Sequence, residues 1–272
     1  MRMAIITISR RSYSKGKEVA EKVANRLGYD CISRDVLLDA SKGFNIPEVK
    51  LIRAIHDAPS ILGRFQHIKQ VYIAYIRSAL TQRVKADNIV YHGLAGHILL
   101  KGIPHVLKTR ITINLEDRIA EEIKRKPIGK NEARSLLLKD DQERRKWTKS
   151  LYGKDPWDST LYDLVIRIHK FSVDDAVNFI CQAVSLKQFK TTDVSQHKMD
   201  DLAIACQVKA ALVDEFYDVA VTSEYGNVII YTKTDERLGH KFKQKVKSIE
   251  NKIEGINNLE VHKGVPYPPE AI

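Results

Sequence analysis

Short apolar runs alternate with segments of helical period along the first two thirds of the chain. Residues 3–9 form a continuous apolar run suited to a buried strand, and residues 15–27 read as a helix. Strands are expected again at 88–92, 109–114 and 162–168, with a helix from about Glu116 and another over 173–184 that Ser172 can N-cap. Strands alternating with helices predict a parallel α/β sheet. Two segments interrupt the alternation: a long, mainly helical insertion over 34–86, most clearly periodic at 68–80, and a highly charged helical segment over 131–147.

The pattern breaks at 186–201, LKQFKTTDVSQHKMDD, which is polar and lacks a clear apolar period. It reads as a linker, 187–200, between a first domain over 1–186 and a smaller one over 201–265. Beyond it the order is helix (201–217), strand (219–223), a turn at Tyr225-Gly226-Asn227, strand (228–232), helix (236–253) and strand (259–262), a small α+β unit. Gly226-Asn227 can take positive φ at the turn, and Gly255 suits a helix C′ cap.

Composition narrows the class. With 43% hydrophobic and 29% charged residues, the chain fits an ordinary globular protein, and no apolar run reaches the 18 residues of a membrane span. Its first residues lack an extended apolar leader with a small-residue cleavage site, so a cytoplasmic location is expected. Cys31, Cys181 and Cys206 are odd in number and have no C-x-x-C spacing, which predicts buried thiols rather than a disulfide framework or zinc cluster. Residues 197–272 hold 10 Lys and Arg against 12 Asp and Glu, so the surplus behind the +11 net charge lies in residues 1–196. No recognised nucleic-acid motif accompanies it, and specific nucleic-acid binding is not expected.

A strand leading directly into a helix aims the helix's unpaired N–H groups and positive dipole end at the sheet's carboxyl edge, a ready anion site. The connecting loop, Ser9-Arg10-Arg11-Ser12-Tyr13-Ser14-Lys15-Gly16-Lys17-Glu18, partly matches the phosphate-loop pattern G-x-x-x-x-G-K-[ST]. Gly16 is its sole glycine, and Lys15 and Lys17 flank it.

Ile6-Thr7-Ile8-Ser9-Arg10, then Ser14, Gly16 and Glu18-Val19-Ala20, resemble the opening of the cytidylate kinase-like proteins, P-loop relatives within the nucleoside monophosphate kinases. Leu27-Gly28-Tyr29 with Ser33-Arg34-Asp35, Val90-Tyr91-His92-Gly93-Leu94-Ala95, Glu116-Asp117-Arg118, Asp141-Gln142-Glu143-Arg144, and Tyr152-Gly153 through Tyr162-Asp163-Leu164-Val165 follow in that family's order, over about residues 3–184. The resemblance implies a nucleoside monophosphate kinase-like parallel sheet with a helical insertion and a lid. It implies ATP-dependent phosphoryl transfer to a nucleoside monophosphate, CMP first among them, with Mg²⁺ held mainly by the nucleotide phosphates. Ser9, Arg10, Ser12, Tyr13, Ser14, Lys15, Gly16 and Lys17 would then bind the nucleotide. Lys17, Arg118 and Arg144 would be catalytic, and Arg34, Asp141 and Arg145 would meet the acceptor. Asp141, three residues before Arg144, would orient it or contact base or ribose.

Departures from the family pattern predict weak activity. Tyr13 and Lys15 replace glycines, Gly16 falls at the usual lysine, Leu94 replaces an arginine, Ser33 an aspartate, and Glu121 and Glu122 occupy the lid where a further arginine is common. The rival expectation is a non-catalytic nucleotide sensor. The histidines at 56, 67, 92, 97 and 105 show no metal-ligand spacing, and Trp147 and Trp157 are expected to pack the lid. Residues 201–262 resemble a BON module, through Asp201, Ile204, Val208, Val219-Ala220-Val221, Gly226-Asn227-Val228 and Ile253 to Leu259, which implies a small ligand or phospholipid as its partner.

Overall fold

The structure is a computed structural model describing residues 4–10, 15–33, 35–51, 66–93, 95–233 and 239–272. In chain order its named elements are β1 (Ile5–Arg10), α1 (Gly16–Leu27), β2 (Asp30–Ile32), α2 (Asp35–Gly43), α3 (Gln66–Val84), β3 (Ile89–Tyr91), α4 (Gly96–Leu99), β4 (Val106–Ile113), α5 (Leu115–Arg125), α6 (Lys130–Tyr152), β5 (Leu164–Ile168) and α7 (Val173–Val184). There follow α8 (Asp193–Leu212), β6 (Val219–Glu224), β7 (Asn227–Thr232), α9 (His240–Glu250) and β8 (Asn258–Lys263). They divide into two compact units. Among described residues, one unit takes 4–35, 86–93 and 95–191, and the other takes 36–51, 66–85 and 192–272.

The first unit is a five-stranded parallel sheet in the order β2-β3-β1-β4-β5. Its centre is the apolar run predicted to be a buried strand. Period two splits β1 between the sheet's faces. Ile6 and Ile8 join Val19, Ala20 and Val23 of α1 and Ala176, Val177 and Ile180 of α7 in one core. Thr7 lies on the opposite face, against α4 at Gly96. The chain leaves β1 toward β2 and β3 on one side and toward β4 and β5 on the other, which opens a ligand crevice at the strands' carboxyl ends. β2 was not expected. It is a three-residue edge strand, too short for its period to show.

Local signals set the helix ends. Gly28, at φ 69°, closes α1 and donates its N–H to Ala24 O. Ser172 caps α7 as expected, in a capping box with Asp175.

In the second unit, Val71, Ala74 and Tyr75 of α3 pack with Ala210 of α8 and with Val213, and Phe44 stacks on Tyr75 at 4.0 Å. The helical insertion therefore belongs to this unit rather than to the five-stranded one. Residues 187–200 are not an extended linker: they hold a 3-10 turn (Lys187–Phe189) and the first turns of α8. Thr192 and Ser195 form a capping box there, and buried Gln196 donates to Lys85 O and to Asp200.

Three strands in the order β6-β7-β8, antiparallel then parallel, complete this unit against α8 and α9. The hairpin's left-handed residues are Tyr225 and Gly226, one position earlier than expected. Asp201 selects them by accepting the N–H groups of both, and a Cβ on Gly226 would lie 2.4 Å from Gly255 O. α9 ends at Glu250, so Gly255, at φ 88°, is a turn residue beyond it and not its cap. No described helix is long and apolar enough to cross a membrane.

Candidate active site

Two cavities open at the carboxyl end of β1. The larger, about 560 Å³, is lined by Arg10, Lys15, Gly16 and Lys17 from the start of α1, and by Glu122, Arg125, Lys126, Leu136, Asp140 and Arg144 from α5, α6 and the connection between them. Six cations face two carboxylates, so it is an anion cavity. The smaller, about 200 Å³, includes Ser9, Arg10, His92, Arg110, Asp141, Arg144, Arg145, Trp147 and Trp157 in its lining. Arg10 and Arg144 line both.

Gly16 makes the first cavity. A Cβ there would lie 2.7 Å from Arg10 Cβ and 2.8 Å from Cδ, so only glycine lets the Arg10 stem lie against the start of α1. Arg10 Cβ is fixed to β1 and cannot swing aside. We expect Gly16→Ala to destabilise the five-stranded unit by about 1–3 kcal/mol through overpacking and to weaken nucleotide binding. Urea unfolding and calorimetry with MgATP check this, and an unchanged ATP affinity would separate Arg10 from the nucleotide.

Lys15 adopts φ 55° at the N-cap of α1, a left-handed conformation that a non-glycine residue seldom takes. The backbone thus takes a conformation that favours glycine, although lysine replaces the glycine the family pattern expects. Burial, and then the nearby Arg144 guanidinium, lower the Arg10 pKa from its ordinary value. Two guanidiniums held this close favour an anion between them. Lys17 is two-thirds exposed and 3.5 Å from Glu21. Glu122 is buried, with Lys126 at 3.1 Å and Arg125 at 3.5 Å, so this lid glutamate holds two cations at the cavity rim.

The structure places three expected residues in ion pairs, and two of them, Asp141 and Arg145, line the smaller cavity. Arg118 is fully buried and donates two hydrogen bonds, of 2.7 and 2.9 Å, to Asp141, so it lies in the α5–α6 interface and lines neither cavity. Asp141 consequently holds Arg118, and it is Asp140, at 3.5 Å, that meets Arg144 one turn away. Arg145 binds Asp155 through both carboxylate oxygens and lies 4.2 Å over the Trp157 ring. That pairing holds the Asp155 carboxyl well below the usual range. Ser12, Tyr13, Ser14 and Arg34 lie outside the described residues.

Sequence reading missed a polar network beside the smaller cavity. Ser9 and Arg110 are register partners on β1 and β4, so their side chains leave the same face. Both reach Tyr162: its hydroxyl lies 3.3 Å from Ser9 Oγ, accepts from Arg110 at 2.9 Å, lies 3.2 Å from His97 Nε2 and donates to Pro156 O at 3.0 Å. Ser9, His97 and Arg110 lie 153, 65 and 52 residues from Tyr162, beyond any local motif.

Burial, then the charges of Arg110 and Lys108, push the His97 pKa down to about 3. The unfolded chain titrates near 6.5. Between these values the unfolded chain takes up a proton that the folded protein excludes, so stability falls as pH drops below about 6.5. We expect this group to lower the stability of the five-stranded unit by about 2 kcal/mol between pH 7 and pH 5, and His97→Gln to remove that slope. The chain's two tryptophans, Trp147 and Trp157, both belong to this unit, so urea titrations followed by tryptophan fluorescence report on it. Identical slopes in the two proteins would show that His97 titrates normally.

The model of the cytidylate kinase-like family matches residues 5–170, more than half of the chain. The chain belongs to that family. Cytidylate kinase of Methanopyrus kandleri is 30% identical over 107 residues, covering 37% of this chain and 55% of that protein. Cytidylate kinase of Methanocaldococcus jannaschii is 33% identical over 102 residues, covering 37% and 57%. The chain thus spans little more than half the length of these curated relatives. A solved structure, an uncharacterized protein from Eubacterium ventriosum, covers 67% of this chain and 98% of its own at a TM-score of 0.51 and 20% identity, a likeness of fold. The cytidylate kinase-like core thus includes β1 through β5, and both cavities lie within it.

Proposed function

We propose that this cytidylate kinase-like protein transfers the γ-phosphoryl group of ATP to a nucleoside monophosphate, CMP first among the acceptors. The observation that carries the reading is that the two cavities share Arg10 and Arg144. The larger, at the start of α1, suits the donor's phosphates: helix N–H groups, Lys15, Lys17, Arg125 and Lys126 all converge there. The smaller, with aromatic and hydrogen-bonding walls, suits the acceptor. A group in transit between them passes the shared guanidiniums, which neutralise charge on its equatorial oxygens while the lid excludes water.

Mg²⁺ would arrive on the nucleotide and would supply neutralisation of the phosphate charge. Among the described residues no group of three or more His, Cys, Asp or Glu suits a metal ion, and the donor cavity's carboxylates, Glu122 and Asp140, are engaged by Lys126 and Arg144. The chain's own contribution is to bind the phosphates, align the two substrates and shield them from water.

Turnover is expected below the ordinary kinase range of about 1–100 s⁻¹. Arg118 is held by Asp141 and Lys17 lies near Glu21, which leaves Arg10 and Arg144 as the principal cations at the transfer point. A coupled ADP-release assay with MgATP and each monophosphate tests this, alongside calorimetry. Slow, CMP-preferring turnover is expected, whereas tight nucleotide binding without turnover would overturn the catalytic reading. The three-stranded unit is, on its resemblance to BON modules, a site for a small ligand or phospholipid.

A further inference from the structure

Two side chains that line the acceptor cavity each carry a buried polar atom without a hydrogen-bond partner among the described residues, Trp147 Nε1 and His92 Nδ1. Trp147 is 5% exposed and His92 7%. Both side chains line the cavity. A buried indole N–H ordinarily finds an acceptor, because leaving it without one costs about 1–3 kcal/mol. Two such atoms on side chains that line one cavity point to a ligand that completes them.

Their places along the fold separate what each can touch. On α6, Leu136 and Asp140 line only the donor cavity, Arg144 lines both, and Asp141 and, one turn further, Arg145, Trp147 and Thr148 line only the acceptor cavity. Trp147 therefore lies past the transfer point, on the nucleoside side, and its ring is set edge-on to Tyr152 with centroids 5.7 Å apart. Because an indole N–H only donates, its ligand partner is a base carbonyl or ring nitrogen. His92 follows the end of β3, close enough to Arg10 for that guanidinium to depress its pKa, although burial does so more strongly. Sharing this cavity's lining with Arg10 and Arg144, the imidazole is placed at the phosphate end.

We propose that Trp147 donates its indole N–H to the acceptor's base and that His92 bonds through Nδ1 to the acceptor's phosphate, so that together they read the two ends of a nucleoside monophosphate. This rests on the kinase reading above. It adds specificity contacts that the sequence did not indicate, since Trp147 there reads only as lid packing.

The test is calorimetry on the full 272-residue chain with CMP, ribose 5-phosphate and inorganic phosphate, comparing the wild type with Trp147→Phe, His92→Gln and His92→Asn. Phenylalanine keeps an aromatic ring and removes the donor. Asparagine can place an amide atom near Nδ1, and glutamine cannot. Trp147→Phe should weaken CMP about tenfold and leave ribose 5-phosphate unchanged. His92→Gln should weaken CMP and ribose 5-phosphate alike, with His92→Asn closer to the wild type. MgATP binding, read in every variant, should stay at the wild-type value and shows that each one folds. CMP affinity unchanged in Trp147→Phe and His92→Gln would overturn the contacts and leave the kinase reading intact. Equal losses for CMP, ribose 5-phosphate and MgATP in both variants would assign them a structural role and also overturn the proposal. If the wild type binds no nucleoside monophosphate at all, the kinase reading falls, and this inference with it.

Discussion

Arg144→Ala should lower kcat by roughly 10²–10³ while raising KM for ATP less than about fivefold. Arg144 lines both cavities and remains partly exposed despite its contact with Asp140, so its guanidinium can meet the phosphoryl group as charge develops during transfer. Ground-state ATP keeps Lys15, Lys17, Arg125 and Lys126 in the donor cavity, which is why its affinity should change little. An interaction made chiefly in the transition state lowers kcat and kcat/KM together. Arg144→Lys should fall between the two, since an ammonium keeps the charge and loses the planar fork. Initial-rate kinetics with MgATP and CMP decide this. A large rise in KM with kcat preserved would make Arg144 a ground-state binding residue instead.

What the chain revealed in advance follows the range of the interactions involved. The run into β1, the helix after it, the Ser172 cap and the parallel class are encoded within a few residues, and the structure reproduces them. The start of α8 failed for a physical reason. That helix is buried on several sides, with Ser195, Gln196, Met199 and Asp201 all inside, so no single apolar stripe marks it. Its buried polar groups are hydrogen-bonded: Ser195 to Thr192, Gln196 to Lys85 O, and Asp201 to the turn N–H groups of Tyr225 and Gly226. Polarity there signals burial with hydrogen-bonded partners, Gln196 Oε1 excepted, whereas in a lone sequence it resembles a linker.

The candidate site divides in the same way. Arg10, Gly16 and the flanking lysines are neighbours along the chain, and the strand-loop-helix pattern was enough to place them. Asp141 was matched with Arg144 because a sequence displays only local pairs, whereas its bidentate partner is Arg118, 23 residues away. Ser9, His97, Arg110 and Tyr162 meet only because β1, α4, β4 and the segment before β5 share one face of the sheet.

The Arg118–Asp141 pair should also prove the more sensitive point of the lid. With Arg118 fully buried and Asp141 5% exposed, Asp141→Ala removes the bidentate carboxylate from a guanidinium that water does not reach. We expect a destabilisation of about 3–5 kcal/mol. Replacing both members, as in Arg118→Met with Asp141→Leu, removes the buried charge altogether and should recover most of that loss, because apolar residues of similar volume often substitute for a buried ion pair without net cost. Urea unfolding of the single and double variants, followed by tryptophan fluorescence, gives the coupling between the two sites. Turnover should behave differently. Asp141 lines the acceptor cavity, so the refolded double variant should still show impaired CMP kinetics, with stability restored and the acceptor's KM raised. A loss below about 1 kcal/mol in Asp141→Ala would mean that solvent reaches the pair and that Arg118 is free to turn toward the phosphates, returning it to the catalytic role its place in the family pattern first suggested.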